Sequence, residues 1–139
     1  MQHKILHVED NPDDVMLVAL AFSKAGTSAK LEVATDGEKA IAALENNSDS
    51  PPACVLLDIK LPSISGFEVL AWIRRQPRFK RLPVIMLTSS LLPGDINRAY
   101  DQGANSYLVK PPELDSLIGL AQTIELYWLR TNTRPVHDA

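Results

Sequence analysis

Five apolar residues, Ala53-Cys54-Val55-Leu56-Leu57, run without a break and stop at an aspartate, Asp58. A short, wholly apolar run bounded by turn signals has the pattern of a strand buried on both faces. Pro51 and Pro52 bound it in front, and Pro62 and Gly66 bound it behind. Asp58 is thereby predicted where a buried strand surfaces at its C-terminal end. That is the edge at which open parallel α/β sheets keep their ligands and chemistry. An aspartate in such a place more often only caps the next helix, so the remainder of the chain has to decide.

The chain repeats this pattern. Ile5-Leu6-His7-Val8 reads as a first strand that ends in Glu9-Asp10, and Leu31-Glu32-Val33 alternates as a short second one. Pro83-Val84-Ile85-Met86-Leu87 is again wholly apolar and ends in Thr88-Ser89-Ser90, and Tyr107-Leu108-Val109 is followed by Lys110-Pro111-Pro112. Helical spacing fills the gaps. Asn11 is placed as an N-cap, Pro12 at the first helical position, and Asp13 and Asp14 in the first turn, where the helix dipole favours acids. Further helices are predicted over Ala40, Ile41 and Leu44, from Gly66 to about Arg75, from Pro93 to Gly103, and from about Glu113 to Arg130. Strands alternating with helices at this spacing imply a parallel sheet covered on both faces. Right-handed crossovers leave few topologies. The expected architecture is α/β, a flavodoxin-like (βα)5 doubly wound parallel sheet in the order 2-1-3-4-5. Residues 1–130 form the predicted domain and 131–139 a short polar tail.

Composition excludes several classes. A length of 139 residues suits one domain, and the net charge of -3 gives no reason to expect nucleic acid or an anionic membrane. No apolar run approaches the roughly 18 residues of a membrane span. Met1-Gln2-His3-Lys4 leads straight into a strand pattern, without room for a signal peptide. The single cysteine, Cys54, lies in the apolar run and reads as a core residue, which suits a reducing cytoplasm. No dinucleotide fingerprint or phosphate loop occurs, and Pro12 spoils the calcium-loop likeness of Asp10 to Asp14. His3, His7 and His137 are scattered, and His7 is expected to be a satisfied, partly buried histidine.

The predicted order brings chemistry to one edge. The first strand delivers Glu9 and Asp10, the third Asp58, the fourth Thr88 and the fifth Lys110. In the 2-1-3-4-5 order the three acids meet at the switch point. Three carboxylates in one cleft repel unless protons or a cation neutralise them. The donors are all oxygens, which selects a hard cation, Mg²⁺ or Mn²⁺ in its place. Lys110 and Thr88 are suited to meet a phosphoryl oxygen. Asp58 is then the nucleophile of a phosphoryl-transfer set.

These residues and the segments "ILHVEDNPDD", "CVLLDIKLP", "PVIMLTSS" and "GANSYLVKP" resemble the receiver domain of two-component response regulators, from Lys4 to about Arg130. The resemblance implies that Asp58 is the phospho-acceptor and that a sensor histidine kinase is the donor. It implies Mg²⁺ bound directly by Asp10 and the backbone carbonyl of Lys60, with Glu9 assisting. Lys110 would pair with the phosphoryl group. Thr88 and Tyr107 would form a switch that reports to the face of the fourth strand, fourth helix, fifth strand and fifth helix. Such a domain catalyses only its own phosphorylation and dephosphorylation. Glu9 stands where many members have Asp. The chain is similar to stand-alone receivers, most of all those paired with phytochrome kinases. Two alternatives are a phosphatase of the haloacid dehalogenase type and a flavodoxin-like cofactor module. The first wants an acid where this chain has Lys60, and the second a hydroxyl-rich loop where it has acids.

The fifth helix carries more apolar residues than a core stripe needs. Leu114, Leu117, Ile118, Ala121, Ile124 and Trp128 supply that stripe. Leu120 and Tyr127 fall on its flank, and Leu126 and Leu129 add apolar surface near its end. A helix about 27 Å long at 1.5 Å per residue would reach past the sheet. The surplus predicts a homodimer through this helix and its neighbours.

Overall fold

Wherever an apolar run was predicted as a strand, a strand forms. In a computed structural model that describes residues 3–136, the strands are β1 (Lys4–Val8), β2 (Lys30–Ala34), β3 (Cys54–Leu57), β4 (Val84–Thr88) and β5 (Ser106–Val109). The helices between and after them are α1 (Pro12–Lys24), α2 (Gly37–Asn46), α3 (Gly66–Arg75), α4 (Pro93–Asp101) and α5 (Leu114–Ile124). His137 and the end of the predicted tail lie outside the described residues. All neighbouring strands are parallel, in the order β2-β1-β3-β4-β5. The architecture is the predicted doubly wound sheet.

Each face of the sheet carries its own core. Leu6, Val8, Val55, Leu57, Val84 and Met86 point to one side and pack with Ala40, Leu44, Leu70, Ile73 and Ala99 of α2, α3 and α4. Ile5, Cys54, Leu56, Ile85 and Leu87 point to the other, against Val18, Ala21 and Phe22 of α1 and Leu117, Ala121 and Ile124 of α5. Side chains of β3 and β4 are buried on both faces, and each such aliphatic side chain contributes about 1.5–3 kcal/mol.

Two findings differ from the sequence reading. The last helix does not stay α-helical to Arg130. From Glu125 to Thr131 it is a π-helix. The Asn132 N–H and the Thr131 hydroxyl donate to carbonyls five residues back, at Tyr127 and Leu126. The wider turn brings Leu129 into the core, where an α-helix would have put Trp128, and Trp128 is only half-buried. His7 is fully buried, and its Nδ1 has no hydrogen-bond partner, so it is neither partly exposed nor fully satisfied. The described end of the tail, 133–136, forms no helix or strand. Arg134 contacts the His3 ring. Arg134, Pro135 and Val136 line a cavity of about 570 Å³ with Pro52, Phe79 and Leu82, at the N-terminal edge of the sheet.

Candidate functional site

Ladder bonds beyond the strand ends fix the backbones at the opposite edge. The Asp58 N–H donates to Val8 O (3.2 Å), Glu9 N–H to Ala34 O (3.0 Å) and Lys110 N–H to Thr88 O (2.9 Å). Glu9, Asp10, Asp58, Thr88 and Lys110 therefore leave the sheet side by side. With Asp14, Ile59, Lys60, Ser90 and Asp95, they line a cleft of about 530 Å³. Carboxylate oxygens of Glu9, Asp10 and Asp58 lie within 4.8 Å of one another. Glu9 and Asp58 are buried, while Asp10 is exposed.

Asp58 is held from two sides. Its Oδ1 accepts the Ile59 N–H at 2.7 Å and its Oδ2 accepts Lys110 Nζ at 2.9 Å. The loop that follows turns back tightly. The Gly66 N–H donates to Ile59 O at 2.8 Å. A Cβ on Gly66 would stand 2.0 Å from the Asp58 carbonyl oxygen, so only glycine fits there. Lys60 is exposed and lines the cleft.

Lys110 reaches Glu9 Oε1 at 2.5 Å, Asp58 Oδ2 at 2.9 Å and Asp14 Oδ2 at 3.0 Å. Burial pulls its pKa down, but the paired Glu9 and Asp58 carboxylates outweigh that and hold it above the usual lysine range. Burial pushes Glu9 up to about 7, with the Asp58 charge adding to the rise and Lys110 opposing it. Burial lowers His7 to about 4, and the Lys110 charge acts in the same sense. Asp14 is the member that the sequence reading placed only in a helix turn. Its third position in α1, behind the Asn11 cap, lies at the end of the helix that faces the strand edge.

Thr88 is buried, and the Ser90 N–H approaches its Oγ1 at 3.5 Å. Tyr107 does not line the cleft. It is half-buried against the α3 and α4 side of the core, and its hydroxyl donates to Ser90 O at 2.9 Å. Ser90 in turn donates from its own hydroxyl to Asp95 Oδ2 at 2.6 Å.

The acid cluster fits a divalent cation. Glu9 Oε1 is buried and makes no hydrogen bond of acceptable geometry, though its charge faces the Lys110 ammonium. The neighbouring donors are oxygens, which hard cations prefer.

Comparison with known proteins agrees with this geometry. The family model of the response regulator receiver domain matches residues 5–122. The chain is 40% identical over 134 residues to a probable methanogenesis regulatory protein, FilR2, of Methanothrix harundinacea, covering 94% of this chain and 86% of the relative. The crystal structure of the phosphorylated cyanobacterial phytochrome response regulator RcpA superposes with a TM-score of 0.89 at 36% identity, covering 98% of this chain and all of that one. The Mn²⁺-bound form of the response regulator Rcp1 gives 0.84 at 38% identity, covering 96% and 99%; Rcp1 of Synechocystis also matches by sequence.

Proposed function

This chain belongs to the response regulator receiver domain family, and on that premise we propose that it accepts a phosphoryl group on Asp58 from a sensor histidine kinase. The observation that carries the reading is the Lys110 ammonium 2.9 Å from Asp58 Oδ2, at a strand edge where three carboxylates converge. In the transfer an Asp58 carboxylate oxygen forms the new O–P bond, the N–P bond of the donor histidine breaks, and the freed imidazole takes up a proton. Lys110 follows the charge onto the phosphoryl oxygens, and Thr88 offers them a hydroxyl. Asp10, Glu9, Asp58 and the Lys60 carbonyl would hold Mg²⁺ or Mn²⁺. That ion, when bound, neutralises charge on the phosphoryl oxygens.

Thr88 and Tyr107 then carry the signal to the face of β4, α4, β5 and α5. The Tyr107 hydroxyl bond to the Ser90 carbonyl, on the segment that leaves Thr88, supports this assignment. Likeness to phytochrome response regulators supports a kinase of the phytochrome type. Exposed apolar residues at the end of the last helix support a homodimer.

Incubation with acetyl phosphate and Mg²⁺, followed by intact mass, tests the acceptor. One phosphoryl group is expected with Mg²⁺ and none with chelator or in Asp58→Asn. Labelling that survives in Asp58→Asn rejects the assignment.

A further inference from the structure

Asp14 differs from the other acids at this edge. Asp13 and Asp14 occupy the same first turn and share the favourable helix dipole. The Asp13 residue is exposed. The Asp14 carboxylate is part-buried and pairs with Lys110, which lies 96 residues away in the chain. Asn11 already caps the helix through the N–H groups of Asp13 and Asp14, at 2.9 and 3.3 Å. Neither cap nor dipole requires the Asp14 side chain to turn toward the cleft.

An ammonium has three N–H donors, and Lys110 faces three carboxylates. They are not equivalent once the site works. Asp58 loses its carboxylate charge when it becomes an acyl phosphate. Glu9 belongs to the trio of converging oxygens that fits a cation, and Asp14 lies outside that trio. Asp14 is thus the carboxylate whose charge stays with Lys110 throughout.

We propose that Asp14 is a positioning residue that tethers the Lys110 ammonium from the α1 side and aims it at the acceptor. This rests on the reading of Asp58 as phospho-acceptor. A tether acts only through Lys110, whereas a role in the helix or in the general field of the cleft acts whether or not the lysine is there.

The test compares wild type, Asp14→Asn, Asp14→Glu, Lys110→Ala and the Asp14→Asn/Lys110→Ala pair, with acetyl phosphate at saturating Mg²⁺. Asp14→Asn is expected to lower the limiting rate of phosphoryl uptake roughly fivefold, within the coupling range of contacting charged groups, at unchanged half-saturating donor. Asp14→Glu should recover most of the rate. In the Lys110→Ala background Asp14→Asn should change nothing. No fall in rate, or an equal fall in both backgrounds, overturns the proposal. A second readout needs no phosphoryl group. The ¹⁵N signal of the Lys110 ammonium, slow to exchange with water in the wild type, should broaden in Asp14→Asn. A wild type that takes no phosphoryl group refutes the acceptor reading, while an ammonium signal unmoved by Asp14→Asn refutes the tether.

Discussion

Glu9 and His7 sit two residues apart at the end of β1 and oppose each other in their effect on stability. Glu9 is buried and raised to about 7 from an ordinary 4.5. Between those values the folded chain holds a proton that the unfolded chain has lost, so stability falls as pH rises. His7 is buried and lowered to about 4 from 6.5. Between those values the unfolded chain holds the extra proton, so stability rises with pH. The two windows overlap from about 4.5 to 6.5, and there the slopes offset. Without divalent cation, Glu9→Gln should unmask His7. Its stability, measured by urea denaturation, should climb relative to wild type across that window and stay higher above pH 7, by on the order of 3 kcal/mol. Parallel curves for the two proteins would show that Glu9 carries its charge at no cost. The sequence revealed Glu9 because an acid at a strand end breaks the apolar pattern. It did not reveal how fully His7 is buried, because helix packing over β1 decides that and the strand's own pattern does not. Asp14 stayed hidden for a related reason: the helix dipole already explained an acid there.

Among the elements, the segment from β3 to α3 places the acceptor. Pro62 and Gly66 marked a turn after Asp58 in the sequence, but not how closely the chain returns. Gly66 lies so near the Asp58 carbonyl that a Cβ would stand 2.0 Å from it. Backbone sits on both sides of that contact, so it cannot be relieved by a side-chain rotation. Ser63, in the same loop, already holds φ at 67°, a left-handed conformation that costs a non-glycine residue about 1–2 kcal/mol. Gly66→Ala should therefore destabilise the fold by about 3 kcal/mol or more, with a loss of phosphoryl uptake even at temperatures where the variant is folded. A thermal melt and intact mass at low temperature check the two parts. A variant as stable as wild type would show that the loop has room to move. The last helix shows where periodicity fails. Leu117, Ala121 and Ile124 are buried at α-helical spacing, and the same spacing leads to Trp128. The structure instead buries Glu125 and Leu129. Glu125 accepts from the Ser28 N–H and hydroxyl at 2.7 and 3.0 Å. That long-range contact coincides with the switch to a wider turn, and no local pattern encodes it.

At the scale of the whole molecule, the remaining question is what covers the open end of the fold. β5 is an edge strand whose residues are all half-buried. Edge strands invite pairing unless something blunts them. Beside it, a shallow cavity of about 350 Å³ is walled by Ser106, Leu108, Thr123, Tyr127 and Trp128. Leu126 and Tyr127 are exposed at 63% and 48%, and the π-turn sets them on the outside as it takes Leu129 in. Leu120, predicted to share their flank, is half-buried against the core, so it is a poor probe of the face. The described tail runs to the N-terminal edge of the sheet beside Pro52 and Phe79, and it leaves this surface open. Large apolar patches on folded domains tend to mark contact sites, and most soluble homo-oligomers pair with two-fold symmetry. α1 offers a rival surface in Met16, Leu17 and Leu20, exposed at 70%, 40% and 42%. Sedimentation velocity at micromolar concentration separates the two. The wild type is expected to sediment as a dimer, Leu126→Arg/Tyr127→Glu as a monomer with at least tenfold weaker association, and Met16→Arg as the wild type. Dissociation by Met16→Arg alone would move the interface to α1, and a wild type that stays monomeric with and without phosphorylation would leave this face without a second copy to bind.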